Sequence, residues 1–335
     1  MSQATGKKKR SDRPVIGVDL GGTKILAAVV APDGRILSRS RKRTKATGEA
    51  APLLDRIAAC VEGAMAEAGL SPADVAAIGA GAPGPTDSDA GVVVTMPNLR
   101  LENFPLGAQL TERFGLPAHI ENDVNAGTYA EYVMGAARGA RGVLGVFPGT
   151  GIGGGVLIDG KLLKGKNQSA GEIGHTVVVA NGRRCGCGVN GCVEAYAGRN
   201  RITEEIFARV ARGEASIASE YLRPNGTHRL RSKGLARGVA EGDRVIIECL
   251  EEAARMLGDC IGSAINLLAP DVVVLGGGVT EALGDWLIER VTAAARRRAL
   301  ELAFRGVKIV PAQLGDDATC LGAALLAREA LADSG

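Results

Sequence analysis

Short apolar runs broken by glycine set the plan of this chain. From Val15 the sequence reads V-I-G-V, D-L-G-G-T-K, I-L-A-A-V-V, P-D-G, R-I-L-S, which predicts strand, glycine turn, strand, second turn and third strand. From Val143 the plan recurs as V-L-G-V-F, P-G-T-G-I-G-G, G-V-L-I, D-G, K-L-L. Val75–Gly81 and Asp271–Leu275 are further buried strand-like runs, the second ending in Gly276, Gly277 and Gly278. Helical periodicity predicts helices near Ala51–Ala68, Asn125–Gly135, Asp243–Leu268 and Asp285–Leu302. Two similar α/β halves follow, facing each other across a cleft, each with a glycine turn at one end of its sheet. Gly213–Gly242 is basic and poor in apolar residues and is expected to be a surface excursion of the second half.

At 335 residues the chain is long enough for two domains. Aromatic residues make up 3%, so close helix–sheet packing through Gly and Ala is favoured over an aromatic platform. The formal charge is +3, but Lys7, Lys8, Lys9, Arg10 and Arg13 against Asp12 put +4 in the first thirteen residues. The remainder is nearly neutral, so a nucleic-acid partner is not expected. The basic stretch 1–13 reads as a disordered tail, with no apolar secretory core behind it. No apolar run is long enough to span a bilayer, and no membrane partner is expected.

Three of seven cysteines, Cys185, Cys187 and Cys192, fall within eight residues, and His175 lies just upstream. One imidazole and three thiolates complete a closed tetrahedral Zn2+ site, which shapes a loop and does no Lewis-acid chemistry. Cys60, Cys249, Cys260 and Cys320 are scattered through apolar or helical stretches and read as reduced core residues, which fits a cytoplasmic location. Such a metal would fix the flanking carboxylates Glu172 and Glu194.

Two phosphate motifs match in spacing and fail in context. Gly160–Lys166 has P-loop spacing, but Asn167 replaces the metal-binding Ser or Thr and no helix is predicted there. Gly149–Gly154 fits G-x-G-x-x-G, yet a strand follows where a dinucleotide site requires a helix. What remains is a pair of β-turn-β loops, one with Gly21, Gly22, Thr23 and Lys24, the other with Thr150 and Gly151. Bare backbone amides there could form anion nests, with the threonines adding hydroxyls; alternatively both are plain tight hairpins. Asp19, just before the first turn, suits Mg2+ held through water.

Hydroxyls of a small polar substrate need short, fixed hydrogen-bonding groups. The chain offers Asn98, Asn122, Asp123, Glu172, His175 and Glu194. Asp123 stands where an apolar approach meets a helix start. It could accept a proton from an attacking hydroxyl, or serve as an ordinary N-cap. Glu172 and His175 are one helical turn apart and would share a face. His119 and His228 have no such company and read as structural or solvated.

Taken together, D-L-G-G-T-K (19–24), G-A-P-G-P (81–85), P-N-L (97–99), E-N-D-V-N-A (121–126), G-T-G-I-G-G-G (149–155), G-E-I-G-H (171–175), C-G-C-G-x-x-G-C-x-E (185–194) and L-G-G-G-V (275–279) identify a resemblance. In order and over about Val15 to Leu331, the chain resembles the ROK family of sugar kinases and regulators, most of all its bacterial glucokinases. The resemblance implies a two-domain α/β fold of the actin-like ATPase (ribonuclease H-like) type, with nucleotide and sugar in the interdomain cleft. The implied domains are 14–123, joined by a C-terminal helix at 316–332, and 124–315, which carries the zinc loop 175–192.

Carried over residue by residue, Asp123 is similar to the general base toward the sugar 6-hydroxyl. Asn98, Asn122, Glu172, His175 and Glu194 are similar to the hydroxyl-binding set, and Gly276–Gly278 to part of the adenosine site. The implied activity is transfer of the ATP γ-phosphoryl to glucose with Mg2+, in a cytoplasmic homodimer or homotetramer. N-acetylglucosamine, N-acetylmannosamine, mannose or fructose as acceptor, polyphosphate as donor, and a non-catalytic sugar-sensing regulator are the alternatives. Two departures stand out. Gly198 and Arg199 follow Ala197 where the family usually has A-Y-A-S-G, and the excursion 213–242 has no clear counterpart. The first strand also begins almost at once, leaving no expected room for a DNA-binding domain before it.

Overall fold

The computed structural model describes residues 12–45, 48–96, 98–223, 225 and 227–333. The basic stretch up to Ser11 therefore lies outside the described residues. Arg13, which the sequence assigns to the tail, is instead held in place. Its Nη1 donates to the Ala73 carbonyl (2.9 Å), and its own carbonyl accepts from Arg328 Nη2 (3.1 Å).

The chain forms two compact units. The first opens with β1 (Val15–Leu20), β2 (Lys24–Val30) and β3 (Ile36–Arg43), then α1 (Ala50–Glu67) and β4 (Ile78–Ala82). A small sheet of β5 (Thr86–Asp87), β6 (Val92–Met96) and β7 (Leu101–Phe104) follows, then α2 (Leu106–Phe114), β8 (Ala118–Asn122) and α3 (Asp123–Val133). The main sheet runs β3-β2-β1-β4-β8. β1, β2 and β3 pair antiparallel, while β1, β4 and β8 are parallel. Central strands of this kind are covered on both faces, which is why β1 reads as an apolar run and not as an alternation.

The second unit repeats the plan. β9 (Gly142–Pro148), β10 (Ile152–Ile158) and β11 (Lys161–Leu162) are the antiparallel set. After the loop that carries Cys185, Cys187 and Cys192 come α4 (Glu194–Ala197), α5 (Arg199–Ala211), α6 (Ser232–Ala240) and α7 (Arg244–Leu268). β12 (Val272–Leu275), α8 (Gly277–Leu283), α9 (Asp285–Arg298), α10 (Glu301–Phe304) and β13 (Lys308–Pro311) complete it. The sheet order β11-β10-β9-β12-β13 reproduces that of the first unit position for position.

The chain then returns to the first unit as α11 (Ala318–Asp333). Gly17 and Gly79, register partners on β1 and β4, let this helix lie against the sheet. A Cβ at either would sit 1.9 Å from a helix carbonyl, that of Cys320 or Ala323. α3 packs on the same helix, since a Cβ at Gly322 would lie 1.8 Å from the Ala126 carbonyl. That packing keeps α3 with the first unit, so a division at Asp123 falls before the helix and not after it. Residues 164–170 also belong to the first unit.

Three other expectations change. The helix predicted over Asp285–Leu302 breaks at Ala299 and Leu300, where the Leu300 amide turns to Asn266 Oδ1 (2.8 Å). The strand predicted from Val75 starts at Ile78. The basic excursion is not merely superficial: Ala218, Leu230 and Leu235 are buried in the core of the second unit, with Ile217, Tyr221 and Val239 packed against it. Low average hydrophobicity hid a face made of only a few positions.

Candidate active site and Cys/His cluster

In the first unit the candidate residues gather where β1, β4 and β8 end. Asp19 on β1 is in register with Gly81 on β4, which is in register with Glu121 on β8. Asp123 follows one residue past β8, and Gly81 lacks a side chain that would separate the two aspartates. A Cβ there would lie 3.4 Å from Asp123 Cα. Burial, reinforced by the Asp123 charge, pushes the Asp19 carboxyl up to about 7, against the opposing pull of Lys24. A divalent cation would relieve both effects, so the carboxylate chemistry fits Mg2+ at Asp19.

The cap of α3 is Asn122. Its Oδ1 accepts from the amides of Val124 (2.9 Å) and Asn125 (3.1 Å), while Nδ2 donates to the Gly84 carbonyl (3.2 Å). This corrects the reading of Asp123 as the N-cap: the preceding residue has the extended backbone a cap needs. Asp123 occupies the first helical position, with Oδ1 also accepting from Val124 (2.9 Å). It also leaves Asn122 largely engaged by the fold, with one amide hydrogen remaining for a ligand.

Sequence reasoning missed the residues that brace this site. Glu121, 2% exposed, accepts from Ser88 Oγ (3.0 Å) and Asn125 Nδ2 (3.1 Å) and pairs with Lys164 (3.1 Å). Lys24 Nζ is held by Asp316 (2.7 Å), which also meets Arg41 (3.3 Å). Only chain folding joins positions so far apart in sequence. Asn98 is exposed and lies beside the first glycine turn, its Cβ 3.6 Å from where a Gly22 Cβ would be. Thr23 is exposed on that turn, which Thr44 clamps by donating Oγ1 to the Gly21 carbonyl (2.6 Å).

In the second unit, His175, Cys185, Cys187 and Cys192 present ligand atoms all within 4.8 Å of one another. Cys187 Sγ lies 3.7 Å from Cys192 Sγ, and Cys185 Sγ lies 3.7 Å from His175 Nδ1. A zinc tetrahedron with Zn–S of about 2.3 Å has S···S edges of about 3.8 Å, so the cluster has the size of such a site. Without a cation, burial and the neighbouring thiols push Cys192 up to about 12. A bound cation would reverse that shift.

Glu172 precedes a 3-10 turn at Ile173–His175, and the His175 amide donates to the Glu172 carbonyl (3.1 Å). At three residues per turn the two side chains stack on one face, and both are exposed. Glu194, the first residue of α4, reaches back to the glycine turn: Oε2 accepts from the Ile152 amide (2.9 Å), and Oε1 faces Cys185 Sγ (3.7 Å). Gly151 makes room for it, since a Cβ there would lie 2.3 Å from Oε2. Thr150 is exposed at the tip of that turn.

The glycines that end the β12 run also begin a helix. Gly276 is the N-cap of α8, and Gly277, at φ +77°, passes close to the Pro148 carbonyl. The two glycine turns of this unit are thus neighbours. Arg199, noted in the sequence only as a departure from the family pattern, bonds to the Gly149–Gly151 turn. His228 stacks on Phe207 (4.2 Å between ring centroids) and is structural, as its sequence context suggested. Among the described residues no helix is long and apolar enough to cross a membrane.

The ROK family model matches residues 15–330. A glucokinase of Streptomyces coelicolor is 35% identical, covering 94% of this chain and 97% of the relative. The solved ROK family glucokinase of Streptomyces griseus, in complex with glucose and AMPPNP, is 35% identical. It superposes with a TM-score of 0.81, covering 94% of this chain and 99% of that one. A xylose repressor of Caldicellulosiruptor bescii is 27% identical, covering 95% of this chain and 81% of the repressor. The fold is therefore the two-domain actin-like ATPase fold that the motifs implied. The chain belongs to the ROK family and is glucokinase-like by sequence and by structure.

Proposed function

We propose that this protein is a sugar kinase that transfers the γ-phosphoryl group of ATP to the 6-hydroxyl of glucose. The observation that carries the reading is the pair Asp19 and Asp123 at the ends of parallel strands, close enough for each charge to bear on the other. Two carboxylates so placed suit a cation-held nucleotide and a base toward a hydroxyl. Asp123 takes the proton from the sugar hydroxyl as its oxygen attacks the γ-phosphorus and the bond to the ADP leaving oxygen breaks. General-base help of this kind contributes about 10²–10⁴-fold. Asn98, Glu172, His175 and Glu194 orient the hydroxyls, with Asn122 in a smaller role than its position in the motif suggests.

Mg2+ at Asp19, when bound with the nucleotide, supplies neutralising charge, as phosphoryl transfer requires. Thr23, Thr150 and the two glycine turns orient the phosphates, and Gly276–Gly278 lie toward the adenosine. His175, Cys185, Cys187 and Cys192 would hold Zn2+ as a structural ion. Seven unpaired cysteines fit a reducing, cytoplasmic setting.

Glucose is the acceptor suggested by the 35% identical relatives. The test is coupled ADP release with magnesium-ATP against hexoses and N-acetylhexosamines. Preference for glucose supports the proposal in full. Turnover only with an acetylated sugar or another hexose keeps the mechanism and changes the acceptor. With polyphosphate in place of ATP and sugar phosphate as the readout, turnover on that donor alone changes the donor. Sugar binding without turnover on any donor overturns the kinase in favour of a sugar-sensing regulator.

A further inference from the structure

Arg199 is the first residue of α5, and it is tied at both ends to the Gly149–Gly151 turn. Its amide donates to the Gly149 carbonyl (3.0 Å), and Nη2 donates to Thr150 Oγ1 (2.9 Å). A guanidinium has five N–H donors, and the threonine uses one of them. Elsewhere in this unit the half-buried Arg183 and Arg209 have acids: Arg183 holds Glu252 (3.0 Å) and Arg209 holds Glu214 (2.5 Å). Among the described residues no carboxylate pairs with Arg199. Its electrostatic neighbour is another cation, Arg231, and burial together with that charge holds its pKa below the usual arginine range.

The surroundings point the same way. Arg231 is the N-cap of α6, and the next residue, Ser232, has its Oγ 3.6 Å from where a Gly278 Cβ would be. Gly277 in turn passes the Pro148 carbonyl, just before the Gly149–Gly151 turn. Arg199 at the start of α5 and Arg231 just ahead of α6 thus bring like charge to two adjoining glycine turns. A partly desolvated guanidinium beside a like charge is unfavourable until an anion completes it. The carboxylate at this turn, Glu194, is engaged by the Ile152 amide (2.9 Å) and does not pair with Arg199.

We propose that Arg199 is a donor-specificity residue, holding the terminal phosphates of the nucleotide against Thr150, with Arg231 adding a second positive charge. This deepens the kinase reading and rests on it. Thr150 can accept from Arg199 and still donate its own proton to a phosphate oxygen, so the pair presents donors from side chain and hydroxyl together.

The experiment is calorimetric titration of AMP, ADP and ATP, with magnesium, into wild type, Arg199→Gln, Arg199→Lys and Arg199→Ala. ADP and ATP should bind about 10–100-fold more weakly to the Gln and Ala variants, AMP should change by less than about three-fold, and Lys should recover part of the loss. KM for ATP should rise while KM for the sugar stays put, and the salt dependence of ATP binding should become shallower. Gln keeps an N–H for Thr150, so wild-type affinity in Arg199→Gln would make Arg199 a strut and overturn the proposal. Parallel weakening of all three nucleotides would overturn it as well. Should the Ala variant fail to fold, Gln and Lys decide the matter. Wild type that binds no nucleotide brings down the kinase reading itself, whereas wild type and Gln binding alike bring down only the role of Arg199.

Discussion

Asn122 caps the helix on which Asp123 stands, its Oδ1 bonded to the amides of Val124 and Asn125. Neighbours in sequence, the two residues divide the work: one fixes the helix start, and the other presents a carboxylate from the first turn. Such a division leaves the cap of α3 in place when Asp123 is changed.

Replacing Asp123 by Asn should therefore lower turnover by about 10²–10⁴-fold while leaving the melting temperature nearly unchanged. Coupled ADP release and a thermal melt on the same preparation check this. Activity within a few-fold of wild type would remove Asp123 from the role of base.

The complementary change, Asn122→Ala, should be a stability mutation first. Loss of the cap costs about 1 kcal/mol, and the Gly84 carbonyl loses its donor as well. Asn122→Asp keeps the acceptor for Val124 and Asn125 and should recover most of the loss in a denaturant melt. Equal destabilisation by both variants would contradict the capping role.

The raised pKa of Asp19 has a consequence for stability whose sign is fixed. The folded value of about 7 exceeds the ordinary 3.8, so the folded state holds a proton that the unfolded chain releases between those pH values. Asp19 thus contributes its stability in full below about pH 4, and that contribution is lost as pH rises through about 7. Without divalent cation, Asp19→Asn should be more stable than wild type at pH 8 and similar at pH 4, while being nearly inactive. Melts across that range test it. Magnesium competes with the same proton, so the affinity of wild type for the ion should rise up to about pH 7 and then level off.

Cys185→Ser should strip the proposed zinc, measured as metal content per chain, and weaken sugar affinity before it affects nucleotide affinity. The link is local: Cys185 faces Glu194, and His175 follows Glu172 around a single turn. Unchanged sugar affinity in a metal-free variant would separate the cluster from the binding residues.

By itself the sequence determined the local elements and the chemical inventory. Glycine turns after Leu20 and Pro148 sit between two apolar runs of strand length, the local pattern of a hairpin. The spacing of His175 with three cysteines depends on a loop of a few residues, so it too was legible. Helix boundaries were readable where a cap residue is local, as with Asp243 ahead of α7.

What only the tertiary structure decided was which groups face one another. Asp19 meets Asp123 because parallel strands end together, and Lys24 meets Asp316 across 292 residues of chain. Apolar residues of the excursion became core because folding turns single positions inward, as with Leu235 on α6, which an average over composition cannot show. Arg199 read as a lapse from a motif until folding set it on Thr150 with no acid beside it. Charge and hydrogen-bond partners act over a few ångströms in space, and sequence order preserves that distance only within one turn.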